Sequence, residues 1–125
     1  MVDKNSLDKI KMELERAYQS QAEGKEGRAR VCARRAAGWA IEAVLVEEDR
    51  VLESSNAYKH IQYYASIPGH DQKVYQVLHH LTVRLAKDSF EDDAYYPITD
   101  VDLVTEAHWL VEELMQTSIP IKKQR

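Results

Sequence analysis

Between Gly24 and Arg35 the chain reads GKEGRARVCARR. Lys25, Arg28, Arg30, Arg34 and Arg35 crowd together there against one acid, Glu26. From Glu42 to Glu53 the sign reverses, with Glu42, Glu47, Glu48, Asp49 and Glu53 against Arg50. Both stretches belong to one predicted helix. A helix macrodipole favours the opposite order by roughly 0.3–1 kcal/mol per well-placed charge, so the cations must face something. One reading is an anionic ligand. Guanidinium groups match phosphate oxygens, and the first turn of a helix offers unpaired N–H groups to the same anion. Lys25, Arg28, Arg30, Arg34 and Arg35 then form a phosphate site for a nucleotide or a nucleic acid. The other reading is internal pairing, with acids from the 88–93 stretch or from the last helix. Arg30 and Arg34 are one turn apart and repel, with Glu26 offering Arg30 partial relief, while Arg28 and Arg35 share a different side.

Other chemistry-bearing residues are scattered. His79 and His80 point about 100° apart on a helix and do not converge. His108 has Glu112 one turn on but no second histidine there, and His60 and His70 belong to different elements. No metal centre is expected from such spacing. Cys32 lies on a stripe of alanines and reads as a small buried hydrophobe, not a thiolate nucleophile. Phosphate-binding glycine loops and a G-x-S-x-G nucleophile turn are absent. No catalytic residue and no cofactor are expected. Trp39 borders the apolar face of its helix and reads as structural. Trp109 lies away from the apolar arc of the last helix, beside Asp102, Glu106 and Glu113. Trp109, Glu106 and Glu113 either anchor a protein interface or lie beneath the segment carrying Tyr95 and Tyr96.

The elements that must position these residues all carry helical period. The first helix starts at Asn5 or Ser6 as N-cap and presents Leu7, Ile10, Leu14 and Ala17. The second runs from about Glu26 to Glu48, with Ala29, Cys32, Ala33, Ala36, Ala40, Ala43 and Val44 in an arc of roughly 120°. Gly38, on its polar side, costs about 1 kcal/mol relative to alanine and signals a close contact. The third helix runs from Ser55 to about Ser66 and is stopped by Ile67-Pro68-Gly69. The fourth runs from Asp71 to about Lys87, with Val74, Val77, Leu78, Leu81 and Leu85 as its core stripe. The fifth spans about Asp100 to Gln116, capped by Thr99 with Asp102 three residues on. The tail from Thr117 is expected to fray.

A chain of 125 residues with this pattern is one domain, 1–125, with a core from about residue 6 to 116. The net charge of −4 argues against a general nucleic-acid-coating role. One cysteine excludes an intrachain disulfide. The charged N-terminus is unlike a signal peptide, and no apolar run reaches membrane-spanning length. A cytoplasmic all-α protein is expected, an up-and-down bundle of four or five helices joined by short connections.

The order of motifs resembles a known family. GRARVCARRAAGWAIEAVLVE is similar to the second helix of HEPN domains, the higher eukaryote and prokaryote nucleotide-binding domains, and is followed by the short third helix NAYKHIQYYASI. YYPITDVDLVTEAHWLVEELM resembles that family's tyrosine-proline loop and closing helix. The likeness covers about residues 8 to 116. Many HEPN proteins are ribonucleases that use an arginine followed, after about four to six residues, by a histidine. None of the five histidines here has an arginine at that spacing. The resemblance therefore implies the non-catalytic branch, which binds nucleotides or partners a nucleotidyltransferase, often as a homodimer. The rival expectation is a protein-interaction or antitoxin-like homodimeric subunit with no small ligand.

Overall fold

The computed structural model describes residues 4–49, 56–82 and 101–121. Five α-helices account for most of them: α1 (Lys4–Ala22), α2 (Glu26–Glu47), α3 (Ala57–Ala65), α4 (Gln72–Thr82) and α5 (Leu103–Met115). No strand occurs among the described residues. The molecule is an all-α bundle in which each helix packs on the next and α5 closes onto α2 and α1.

The bundle is organised around α2, which touches α1, α3 and α5. Its small side chains permit this. Ala29, Cys32, Ala33, Ala36, Ala37, Ala40, Ile41 and Leu45 are all buried, and short side chains let neighbouring axes approach to the near end of the usual 8–10 Å range. The buried arc is wider than one stripe because α2 has neighbours on three sides. Ala43 and Val44, expected within it, are only half-buried. Gly38 faces α3, not a polar surface, and its close contact is real. A Cβ at that position would lie 2.7 Å from the Cα of Ala57.

The α1–α2 connection is tight. Lys25 N–H donates to Ser20 O at 2.8 Å, and Gly24 takes the left-handed φ of 78° that such a helix end requires. α1 itself begins at Lys4, ahead of the expected caps Asn5 and Ser6. Asn56, not Ser55, caps α3, its side chain accepting from Lys59 N–H at 3.1 Å; Ser55 is outside the described residues. α4 buries Val77, Leu78 and Leu81, and its expected continuation to Lys87, with Leu85, falls outside them too.

α5 corrects the expected capping. Asp102 is the N-cap, not the third residue of a helix capped by Thr99. Its carboxylate accepts from Thr105 N–H at 3.2 Å and from Thr105 Oγ1 at 2.8 Å. Thr105 stands where a returning side chain can close the cap. The tail is also corrected as far as Ile121. Gln116 adopts the left-handed conformation and ends α5, and the chain folds back to bury Ile119 beside Ile10, Leu14 and Val111. This burial, with two hydrogen bonds described below, holds the segment in place.

Candidate interaction surface and the fate of the arginine cluster

α2 carries all five cations of the expected phosphate site, but helical geometry and their partners divide them. Arg35 turns toward α1, where one guanidinium nitrogen donates to Glu13 Oε2 at 2.8 Å. Glu13 is fully buried, and its second oxygen accepts from Arg16 at 3.0 Å. Buried carboxylates persist when paired and hydrogen-bonded in this way. Arg34 faces a different flank and donates through Nε to the carbonyl of Leu81 at 2.7 Å, satisfying part of the last described turn of α4. Arg30 lies one turn before it on the same flank, half-buried. Lys25 sits at the N-cap position without a side-chain cap bond and pairs with Glu23 at 3.2 Å. Arg28 is exposed. Hydrogen bonds from Gln19 and Lys25, with the positive charges of Lys25 and Arg28, hold the Glu23 carboxyl below its ordinary range. The acid that pairs with Arg35 comes from the first helix, not from the last. The 88–93 stretch lies outside the described residues.

Glu13 was legible in principle. It sits between Ile10, Leu14 and Ala17, so one edge of the apolar stripe of α1 carries a charge. A carboxylate there needs cations from the facing helix.

Cys32 lies beside this cluster and is buried. Burial pushes its thiol up, the Glu13 carboxylate adds to that through its charge and a hydrogen bond, and Arg35 and Arg16 oppose it. A thiol held protonated this way is a poor nucleophile.

Three of the histidines make structural hydrogen bonds. His80 Nδ1 lies 2.6 Å from Glu106 Oε1. His108 Nε2 donates to Ile119 O at 2.7 Å, and because a carbonyl can only accept, that nitrogen carries a proton. Its Nδ1 is 2.9 Å from the Tyr18 hydroxyl. Glu112 accepts from Ile119 N–H at 2.7 Å, so two side chains of α5 clasp the tail. His70 bonds Tyr64 O at 2.9 Å and stacks against that ring. Among the described residues no three histidine, cysteine or acidic side chains gather as a metal site.

The expected interface on α5 is dispersed. Trp109 is half-buried against the main core, with Lys73 Nζ 4.2 Å above its ring. Glu106 is committed to His80, and Glu113 is exposed. Tyr95 and Tyr96 lie outside the described residues.

A different surface emerges on the outward side of α1 and α2. Four large apolar side chains are exposed among the described residues: Met12, Val31, Val46 and Tyr63. Val31 and Val46 lie on one face of α2, and Met12 is on α1. At 100° per residue, Arg28, Val31, Arg35, Trp39, Glu42 and Val46 fall within about 80° of α2. Lys9, Met12 and Arg16 fall within about 60° of the adjoining side of α1. Lys9, Ile10, Trp39, Glu42, Ala43 and Val46 line a shallow groove of about 170 Å³, and Lys9 Nζ lies 4.1 Å above the Trp39 ring. No helix among the described residues is long and apolar enough to cross a membrane.

No protein-family model matches this chain, and comparison with curated proteins and with solved structures returns no match.

Proposed function

We propose that this protein is a non-enzymatic, HEPN-like protein-interaction module, and that the outward face of α1 and α2 is its working surface. One observation carries the reading. Val31 and Val46 are exposed with half-buried Trp39 on one face of α2, and Met12 is exposed on the adjoining α1. Clustered exposed apolar side chains among cations, with an aromatic residue at the centre, are the composition of a protein interface. The alanine-rich α2 followed by the short α3 supports the HEPN-like assignment, and a nucleotidyltransferase partner would be one instance of such an interaction.

The phosphate-site reading loses ground for a physical reason. Arg35 and Lys25 have carboxylate partners and Arg34 a carbonyl partner, on more than one flank of α2. A nucleotide would have to displace those contacts. Cys32, buried and with its thiol held protonated, is not placed to act as a nucleophile.

Site-specific photocrosslinking in cells tests the reading. A photoreactive residue at Val31 or Val46 should yield a discrete protein adduct, while one at exposed Gln76 on α4 should not. Absence of any adduct at both sites overturns the proposal. So does a salt-sensitive rise in melting temperature with ATP or a short RNA that disappears in Arg28→Ala with Arg30→Ala, because it would restore the phosphate site.

A further inference from the structure

Arg16 and Arg35 come from different helices and meet at one carboxylate. Arg35 donates to Glu13 Oε2 at 2.8 Å and Arg16 to Glu13 Oε1 at 3.0 Å. Glu13 is fully buried, yet nearly half of the Arg35 side chain and more than half of the Arg16 side chain stay in solvent. Two cations against one anion leave a local positive excess in a chain whose net charge is −4. Resting on the interaction reading above, we propose that this arginine pair is the anion receptor of the working surface. Its occupant is an acidic amphipathic helix of a different protein, which seats a carboxylate between Arg16 and Arg35 and lays its apolar side over Met12 and Val31.

The pair is set among apolar side chains. Val31 lies one turn before Arg35 and Trp39 one turn after it, and Met12 lies one turn before Arg16. Lys9 Nζ meets the Trp39 ring at 4.1 Å while Glu13 meets Arg35, so α1 and α2 run in opposite directions. Met12 therefore comes level with the stretch between Arg35 and Trp39. Apolar and cationic groups at successive turns match a helix that carries leucine and glutamate one turn apart, laid in the groove between two helices. Glu13 holds one nitrogen of each guanidinium, so both forks are oriented before a partner arrives, which lowers the ordering cost of binding. It also offsets the repulsion between the two cations. Guanidinium groups carry five N–H donors each and suit carboxylate oxygens. One incoming carboxylate brings the single charge that neutralises the cluster. Lys9 and Arg28, each exposed and two turns from the pair on its own helix, extend the positive rim for further acids. A polyanion is less well matched. Lys9 takes one face of the Trp39 ring from any base that would stack there, and Glu42 lines the same groove.

Peptide titration followed by NMR provides the test. The probes are a blocked peptide of roughly 18 residues, long enough to hold a helix, with Leu on one side and Glu flanking it, and a copy with every Glu replaced by Lys. The Glu peptide should bind with a Kd of about 100 μM or tighter. It should move the Arg16 and Arg35 Nε–Hε signals together with the Val31 methyl signals, and weaken as salt rises. The Lys peptide should not bind. Arg16→Gln should lower affinity for the Glu peptide about fivefold or more. Arg35 also supports the fold, so Val31→Glu, at an exposed position, is the second variant. It should weaken the Glu peptide about tenfold with circular dichroism unchanged. Absence of saturable binding at about 1 mM Glu peptide overturns the proposal. So does equal binding of the two peptides, which would leave apolar contact alone. Stronger shifts at Arg16 and Arg35 with a short RNA or with phosphatidylglycerol vesicles would overturn it too, by assigning the pair to phosphate. If the Glu peptide fails while photocrosslinking at Val31 or Val46 still captures a protein, the interaction reading stands and the acidic helix alone falls.

Discussion

Removing Arg35 and removing Glu13 break the same ion pair but should not cost the same. Glu13 is fully buried, whereas the Arg35 and Arg16 side chains keep 46% and 60% of their surface. Freed arginines return to water; a freed carboxylate cannot. Arg35→Met should therefore destabilise the fold by about 1–3 kcal/mol. Glu13→Leu, which replaces the buried charge with similar volume, should cost about 1 kcal/mol or less. Urea titration of both variants checks this, and a larger loss for Glu13→Leu would contradict it. Cys32 gives a second observable at the same place. Its raised folded-state pKa means the thiol favours folding fully below its ordinary value of 9.0 and loses that contribution as pH rises through the higher folded value. Stability should fall above about pH 9 in the wild type and less so in Cys32→Ala. Thiol labelling should be slow in native buffer and fast in denaturant.

The contact between α2 and α3 is set by the absence of a side chain at Gly38. Alanine there gains about 1 kcal/mol of helix propensity but places a methyl group against Ala57. Overpacking of that kind costs about 1–3 kcal/mol, so Gly38→Ala should lower the melting temperature. Adding Ala57→Gly should recover part of the loss, and strict additivity of the two changes would show that they do not touch. At the start of α5, Asp102→Ala should cost about 1 kcal/mol as a lost cap. Burial alone would raise the Asp102 carboxyl, but hydrogen bonds from Gln21, Thr105 and backbone N–H groups outweigh it and hold it low. The cap is thus present above the ordinary carboxylate range and lost as pH falls through the lower folded value.

Helix number, the extent of α2 and its small-residue core were readable, because 3.6-residue periodicity survives any tertiary arrangement. The cap of α5 was less so, since Thr99 and Asp102 both suit the role and the choice depends on where Thr105 reaches. Internal pairing of the arginines was one of two readings, but the partners were not legible, because a helix sends Arg34 and Arg35 about 100° apart. Their partners, Leu81 O and Glu13, come from elements far along the chain.

For the molecule as a whole, the tail after α5 is part of the fold. Ile119 is buried and its amide and carbonyl are clasped by Glu112 and His108. Ile119→Ala should cost about 2–5 kcal/mol, as for other buried isoleucines. Amide exchange at Ile119 should be as slow as in the centre of α5. Exchange at the rate of an open chain would show that the clasp does not hold in solution.

That clasp also decides where the two ends of the described fold meet. Leu7, Asp8 and Lys11 of α1 line one shallow cavity with Thr117, Ser118, Ile119 and Pro120. The outset of α1 and the close of the tail are therefore neighbours at one pole, and the Gly24 turn lies about three turns of α1 beyond Lys11. Joining the ends with a short polar linker and opening the chain at Gly24 would give a circular permutant with helix order α2, α3, α4, α5, α1. The helix pairings would survive, at the loss of the Gly24 turn and its Lys25 N–H bond to Ser20 O, while the most extensive of them, between α1 and α2, would change from neighbours in sequence to the most distant elements. Such a variant should fold more slowly at nearly unchanged helix content, because the pairing would then have to close a long loop.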